Sequence, residues 1–183
     1  MRALVLLVAI ALGLTACSKS ETTSTTTTSA ARAGLAKLTL TSTAFADQGA
    51  IPRQFTCDGD NLSPPVAWSG IPADTSELTL TVEDPDAPNG SFVHWVLYAI
   101  NPGIASLGSG PVGEGTNGQN SSGKKGYAGP CPPRGSQHRY IFTLSALSKT
   151  TSLPEGATAA QLRAASPADS LLGQGRLTGI YGR

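Results

Sequence analysis

The sequence predicts an all-β domain, and three observations carry that reading. Gly 21 and Pro 13 in 183 residues punctuate the chain with turns. The apolar runs are short and rich in β-branched and aromatic residues, and only one short stretch reads as helix. The length suffices for one domain with its own core plus appendages. With 13 basic and 12 acidic residues the formal charge is +1. That is a poor footprint for nucleic acid or for an anionic membrane surface.

Taken in order, residues 1–17 read as an export signal. Arg2 supplies the basic start, and residues 3–14 form an apolar segment too short to serve comfortably as a mature membrane span. Its end, Leu14-Thr15-Ala16-Cys17, has the form of a bacterial lipobox, so Cys17 is the expected lipidation site and the exported chain is expected in the cell envelope, held by its lipid. Residues 18–36 are dominated by Thr and Ser without apolar periodicity and read as a disordered tether. Such a tether reaches at most roughly 65 Å extended and about 25 Å as a coil. The folded domain is then expected over residues 37–183.

Within it, residues 37–43 alternate leucine with threonine, as a first strand with one wet face does. Pro64 and Pro65 enforce extended backbone before a short strand at 66–68, where Trp68 is expected to pack in the core. In residues 78–84 Leu78, Leu80 and Val82 share one parity with Asp84, so a carboxylate leaves the core side where the strand ends. Residues 92–100 are apolar on both parities, as in a strand covered on both sides, with His94 near the start. Residues 103–126 form a long Gly-, Ser- and Asn-rich connection; neither of its glycine clusters has phosphate-loop spacing. The next strand places His138, Tyr140, Phe142 and Leu144 on one parity behind a Pro-rich loop. Thr158 and Gln161 have capping-box spacing and open a short helix ending near Ser166-Pro167, and residues 176–181 read as a closing strand weakened by Gly179.

Two apolar strands thus each carry titratable groups at one end, and side by side they would bring Asp84, Asp86, His94, His138 and Tyr140 to one small pocket. Aspartates one residue apart in a partly buried turn repel, so one is expected to keep its proton and act as a donor beside an imidazolium and the phenol. Such a pocket suits a phosphate with an ammonium group nearby. With Cys17 lipidated, Cys57 and Cys131 remain as an even pair in an exported chain, either bridged or present as two small buried thiols. A bridge closing so long a loop stabilises by roughly 4 kcal/mol on the chain-entropy account. No HExxH, paired-Cys or GxSxG pattern supports a metal site or a hydrolase, so neither a metal nor any other cofactor is expected.

EDPDAP at 83–88, HWVLYAI at 94–100 and GPCPPRGSQHRY at 129–140 resemble the phosphatidylethanolamine-binding protein family, specifically its bacterial Raf-kinase-inhibitor-like branch. FTCDGDNLSPPVAWSGIP at 55–72 and the terminal GIYGR extend the resemblance over residues 38–183. It implies a Greek-key β-sandwich of antiparallel strands, one or two short helices near the C-terminus, and an anion pocket at one end. The family's pocket positions match Asp84, Asp86, His94, Pro132, Pro133, His138 and Tyr140. The resemblance implies a non-catalytic protein binding phosphate-like anions or phospholipid head groups, or a module that inhibits a kinase or hydrolase partner. Two departures stand out: the mammalian type of C-terminal helical extension is absent, which weakens the kinase reading, and Asp169 stands where bacterial relatives often have His. Homodimerisation stays open.

Overall fold

The computed structural model describes residues 34–183. The expected signal segment, the lipidation site Cys17 and residues 18–33 of the expected tether lie outside the described residues. The elements in chain order are β1 (Ala36–Lys37), β2 (Thr39–Thr41), β3 (Gly49–Ala50), β4 (Val66–Ser69), β5 (Glu77–Asp84), β6 (Phe92–Ile100), β7 (Ser106–Leu107), β8 (Thr116–Asn117), β9 (Gln137–Leu147), α1 (Ala159–Ala165) and β10 (Leu171–Gly182). A seven-stranded sheet runs β1-β10-β9-β5-β6-β8, with β3 also paired to β10, and a three-stranded sheet runs β2-β4-β7.

The first strand expected over 37–43 is divided between the two sheets. Ala36 and Lys37 pair in parallel with Gly173 and Gln174, whereas Thr39–Thr41 pairs antiparallel with β4. Between them Leu38 is buried and its amide bonds to the carbonyl of Gln174 at 3.0 Å. Ordered pairing therefore starts at Ala36, one residue before the expected boundary. Residues 103–126, read as an irregular connection, contribute β7 and β8 to the two sheets. Their loop closes around buried Asn120, whose Oδ1 accepts from the amides of Ser122 and Lys124 and whose Nδ2 donates to the carbonyl of Gly126.

The main core lies between the sheets. Leu40, Val66 and Trp68 from the small sheet meet Leu78, Leu80, Val82, Phe142, Leu144 and Leu177 from the large one. Trp68 also donates its indole N–H to the carbonyl of Ile104. A second apolar cluster on the other face joins Val96 and Tyr98 of β6 to Ala157, Ala159 and Leu162 around α1. This explains why β6 is apolar on both parities. The helix starts at the expected capping box, with Thr158 and Gln161 exchanging side-chain to backbone bonds.

β10 is longer than residues 176–181, running twelve residues from Leu171. Packing requires the glycine at 179: a side chain there has no room, because a Cβ would lie 2.5 Å from Ile51 Cγ1 and 2.9 Å from Phe45 Cε2. Gly179→Ala is therefore expected to destabilise by about 1–3 kcal/mol through overpacking. Urea denaturation reads this directly, and an unshifted midpoint would contradict the packing account.

Candidate functional site

β5 lies between β6 and β9 in the large sheet. Asp84, its last residue, therefore has the N-terminal part of β6 on one side and that of β9 on the other. His138 on β9 bonds through Nδ1 to Asp84 Oδ2 at 2.7 Å, with both residues buried. A carboxylate only accepts, so Nδ1 carries the proton of this contact. Asp84 Oδ1 accepts from the Asp86 amide at 2.8 Å, which occupies the second oxygen. The Nε2 of His138 makes no hydrogen bond within the described residues.

His94 reaches the same place through a β-bulge. Val82 pairs with Trp95 but Glu83 with Val93, so the register against β5 shifts at His94. Val93 and Val96 both face the α1 cluster, while Trp95 belongs to the main core. The extra residue re-aims His94 toward Tyr140, ring centroids 5.0 Å apart and edge-on. Its Nδ1 donates to the carbonyl of Ala128 at 2.6 Å, and Ala128 donates its amide back to the carbonyl of His94 at 2.8 Å. Burial lowers the imidazole pKa below its usual 6.5, against smaller upward pulls from the Ala128 carbonyl and Asp84.

These side chains border a cleft of about 360 Å³ lined by Asp84, His94, Pro132, Pro133, His138 and Arg183, with Phe92 and Cys131 on its walls. Tyr140 lies behind it rather than on its surface. Its hydroxyl is buried without a hydrogen-bond partner among the described residues, and desolvation raises its pKa, with Asp84 and Asp86 adding to the effect. Cys57 and Cys131 form a disulfide across 74 residues with Cα atoms 5.4 Å apart. Beside it the Cys57 amide bonds to the carbonyl of Pro130 at 3.1 Å, and the Gly129 amide to Asn61 Oδ1 at 2.7 Å.

Asp86 departs from the expected arrangement. His138 and Arg139 point to opposite faces of β9, and the two aspartates follow them: Asp84 goes inward to His138, Asp86 outward to Arg139. Asp86 accepts from the Arg139 amide and Nε at 2.9 Å each and from Nη2 at 2.6 Å. Those bonds to Arg139 hold its carboxyl down at about 2. The two carboxylates are thus held by different partners on opposite faces of β9 and make no hydrogen bond to each other among the described residues. Arg183, Phe92, Ala128 and the bulge at His94 were not assigned roles from sequence. GIYGR was a visible motif, but nothing in it indicated that Arg183 borders the cleft.

A family model described as phosphatidylethanolamine-binding protein matches residues 41–182. The chain belongs to the phosphatidylethanolamine-binding protein family. It is 47% identical over 147 residues to the "Putative lipoprotein LppC" of Mycobacterium tuberculosis, covering 79% of this chain and 72% of that one. It is 41% identical over 152 residues to a UPF0098 protein of Methanothermobacter thermautotrophicus, covering 80% of this chain and 99% of that one. A crystal structure of a phosphatidylethanolamine-binding protein homologue from Chlamydia trachomatis superposes with TM-score 0.76 at 35% identity, covering 80% of this chain and 98% of the other. The sheet-dominated fold is thus that of the phosphatidylethanolamine-binding proteins, as the sequence resemblance implied. Among the described residues of this family member, no group of three or more His, Cys, Asp or Glu side chains is placed to hold a metal ion.

Two outcomes follow from these contacts. Because the folded Asp86 pKa is depressed below its ordinary 3.8, the Asp86–Arg139 pair stabilises the protein fully above about pH 4 and loses that contribution as pH falls through about 2. Carbon-detected NMR titration is expected to move the Asp86 midpoint back toward 3.8 in Arg139→Ala; an unmoved midpoint would rule out Arg139 as the cause. The double variant Cys57→Ser/Cys131→Ser is expected to lose about 2–5 kcal/mol in chemical denaturation while keeping its far-ultraviolet spectrum.

Proposed function

We propose that this protein is an exported, lipid-anchored and non-catalytic binding protein whose cleft takes small anions, phosphorylated ligands or phospholipid head groups. The observation that carries the reading is the meeting of His94, His138, Pro132 and Pro133 around one cleft, with Asp84 fixing Nδ1 of His138. An imidazolium held in that way offers Nε2–H to a phosphate oxygen, and a charge-assisted bond of this kind is roughly twice as strong as a neutral one. The unpartnered Tyr140 hydroxyl behind His94 is a further donor that a ligand-induced shift of the ring would reach. Among the described residues Ser122 is the one serine or threonine bordering the cleft, and it makes no hydrogen bond to either histidine, which supports binding without turnover.

Anchoring is supported by the lipobox form of residues 14–17 and by the lipoprotein name of the M. tuberculosis relative. A lipid on Cys17 would hold the domain at the cell envelope, with the Thr- and Ser-rich segment giving it reach.

His138→Asn tests the cleft. An asparagine amide takes the place of Nδ1 against Asp84 and removes Nε2. Calorimetric titration with phosphorylethanolamine is expected to show binding weakened about tenfold or more, since hydrogen bonds to charged groups contribute about 1.5–3 kcal/mol. Identical affinity in both proteins would count against the cleft as the binding site.

A further inference from the structure

The positive charge of the cleft depends on one residue. Burial disfavours the charged form of His94. Asp84 and His138 together contribute zero charge or a negative one, according to whether the imidazole is protonated. Among the described residues lining the cleft, Arg183 is the one lysine or arginine.

Arg183 is held there by several contacts. Its amide bonds to the carbonyl of Ser136 at 3.2 Å and its main-chain oxygen accepts from the Gly135 amide at 2.7 Å. The guanidinium Nε lies 3.0 Å from Asp58 Oδ2, with the Arg183 side chain 21% exposed. Asp58 Oδ2 also accepts from the Tyr181 hydroxyl at 2.6 Å. Nη1 points to Cys131 Sγ at 3.5 Å, and Nη2 makes no hydrogen bond within the described residues. Asp58 is not among the residues lining the cleft, so the ion pair has its carboxylate behind and its cation in front. The neighbouring Cys57–Cys131 disulfide ties the Asp58 loop to the cleft wall.

We propose that Arg183 is the specificity-determining residue of the cleft, making it prefer the dianionic phosphate of free phosphate and phosphomonoesters over zwitterionic phosphodiester head groups. The proposal rests on the anion-binding reading above and adds the class of ligand. Coulombic attraction scales with the charge on the phosphate, and a guanidinium edge can meet two phosphate oxygens together where a diester offers one free pair and a single charge. Asp58 acts as the positioning residue, setting where that edge lies.

The test titrates full-length protein with inorganic phosphate, phosphorylethanolamine and glycerophosphoethanolamine, the last standing for a lipid head group. The unaltered chain is expected to bind the first two more tightly than the diester. Arg183→Gln should lose that preference by roughly tenfold or more, with partial recovery in Arg183→Lys. Arg176→Gln, an equal charge change at an exposed position on the outer sheet face, should keep it. Should Arg183→Gln fail to fold, Asp58→Asn carries the test, with the preference expected to fall. A retained preference in Arg183→Gln, or in Asp58→Asn where that variant stands in for it, overturns the proposal and leaves the cleft reading intact. An equal loss in Arg183→Gln and Arg176→Gln also overturns it. Absence of binding to all three ligands by the unaltered protein overturns both readings.

Discussion

The buried bond between Asp84 and His138 is the constraint on which the site depends. Both side chains are less than a tenth exposed, and a carboxylate placed so deeply is costly unless it is paired and hydrogen-bonded. Asp84 meets that condition with His138 on one oxygen and the Asp86 amide on the other. Losing either partner would leave a buried polar group stranded, at a cost of several kcal/mol. The pair therefore holds the end of β5 to the start of β9 and fixes one tautomer of the imidazole. The imidazole bordering the cleft is thereby presented by strands of the central sheet rather than by a loop alone.

Around that bond the cleft is finished by two loops that have little regular structure of their own. One carries Cys57, Asp58 and Asn61, the other Gly129 to Pro133, and the disulfide with two backbone-directed hydrogen bonds joins them. Cross-linking loops in this way restricts the conformations open to the cleft wall. Arg183, bonded to Asp58, brings the chain's last strand to the same junction.

The alternation of side chains along β9 separates two kinds of carboxylate chemistry. Asp84 is buried and paired with a titratable base, whereas Asp86 sits with a guanidinium on the outer face. Residues only two apart thereby differ in their partners: one orients the His138 imidazole, and the other closes the surface of the turn. The phenol of Tyr140, beside the cleft, is a buried hydroxyl left without a partner among the described residues.

From the sequence alone, period-two patterning identified the strands of Asp84 and His138, the faces of Leu78, Leu80 and Val82, and the capping box of the helix. These depend on local alternation and local hydrogen bonding, so neighbours along the chain suffice to reveal them. The motifs at 83–88, 94–100 and 129–140 were enough to indicate the family. Three things were decided only in three dimensions. The bulge at His94 comes from a register shift against β5, Asp86 is captured by Arg139 because β9 lies beside β5, and Arg183 meets the cleft because β10 lies beside β9. Each is a matter of which strand neighbours which, and a pairing between residues tens of positions apart leaves no periodic trace in either segment.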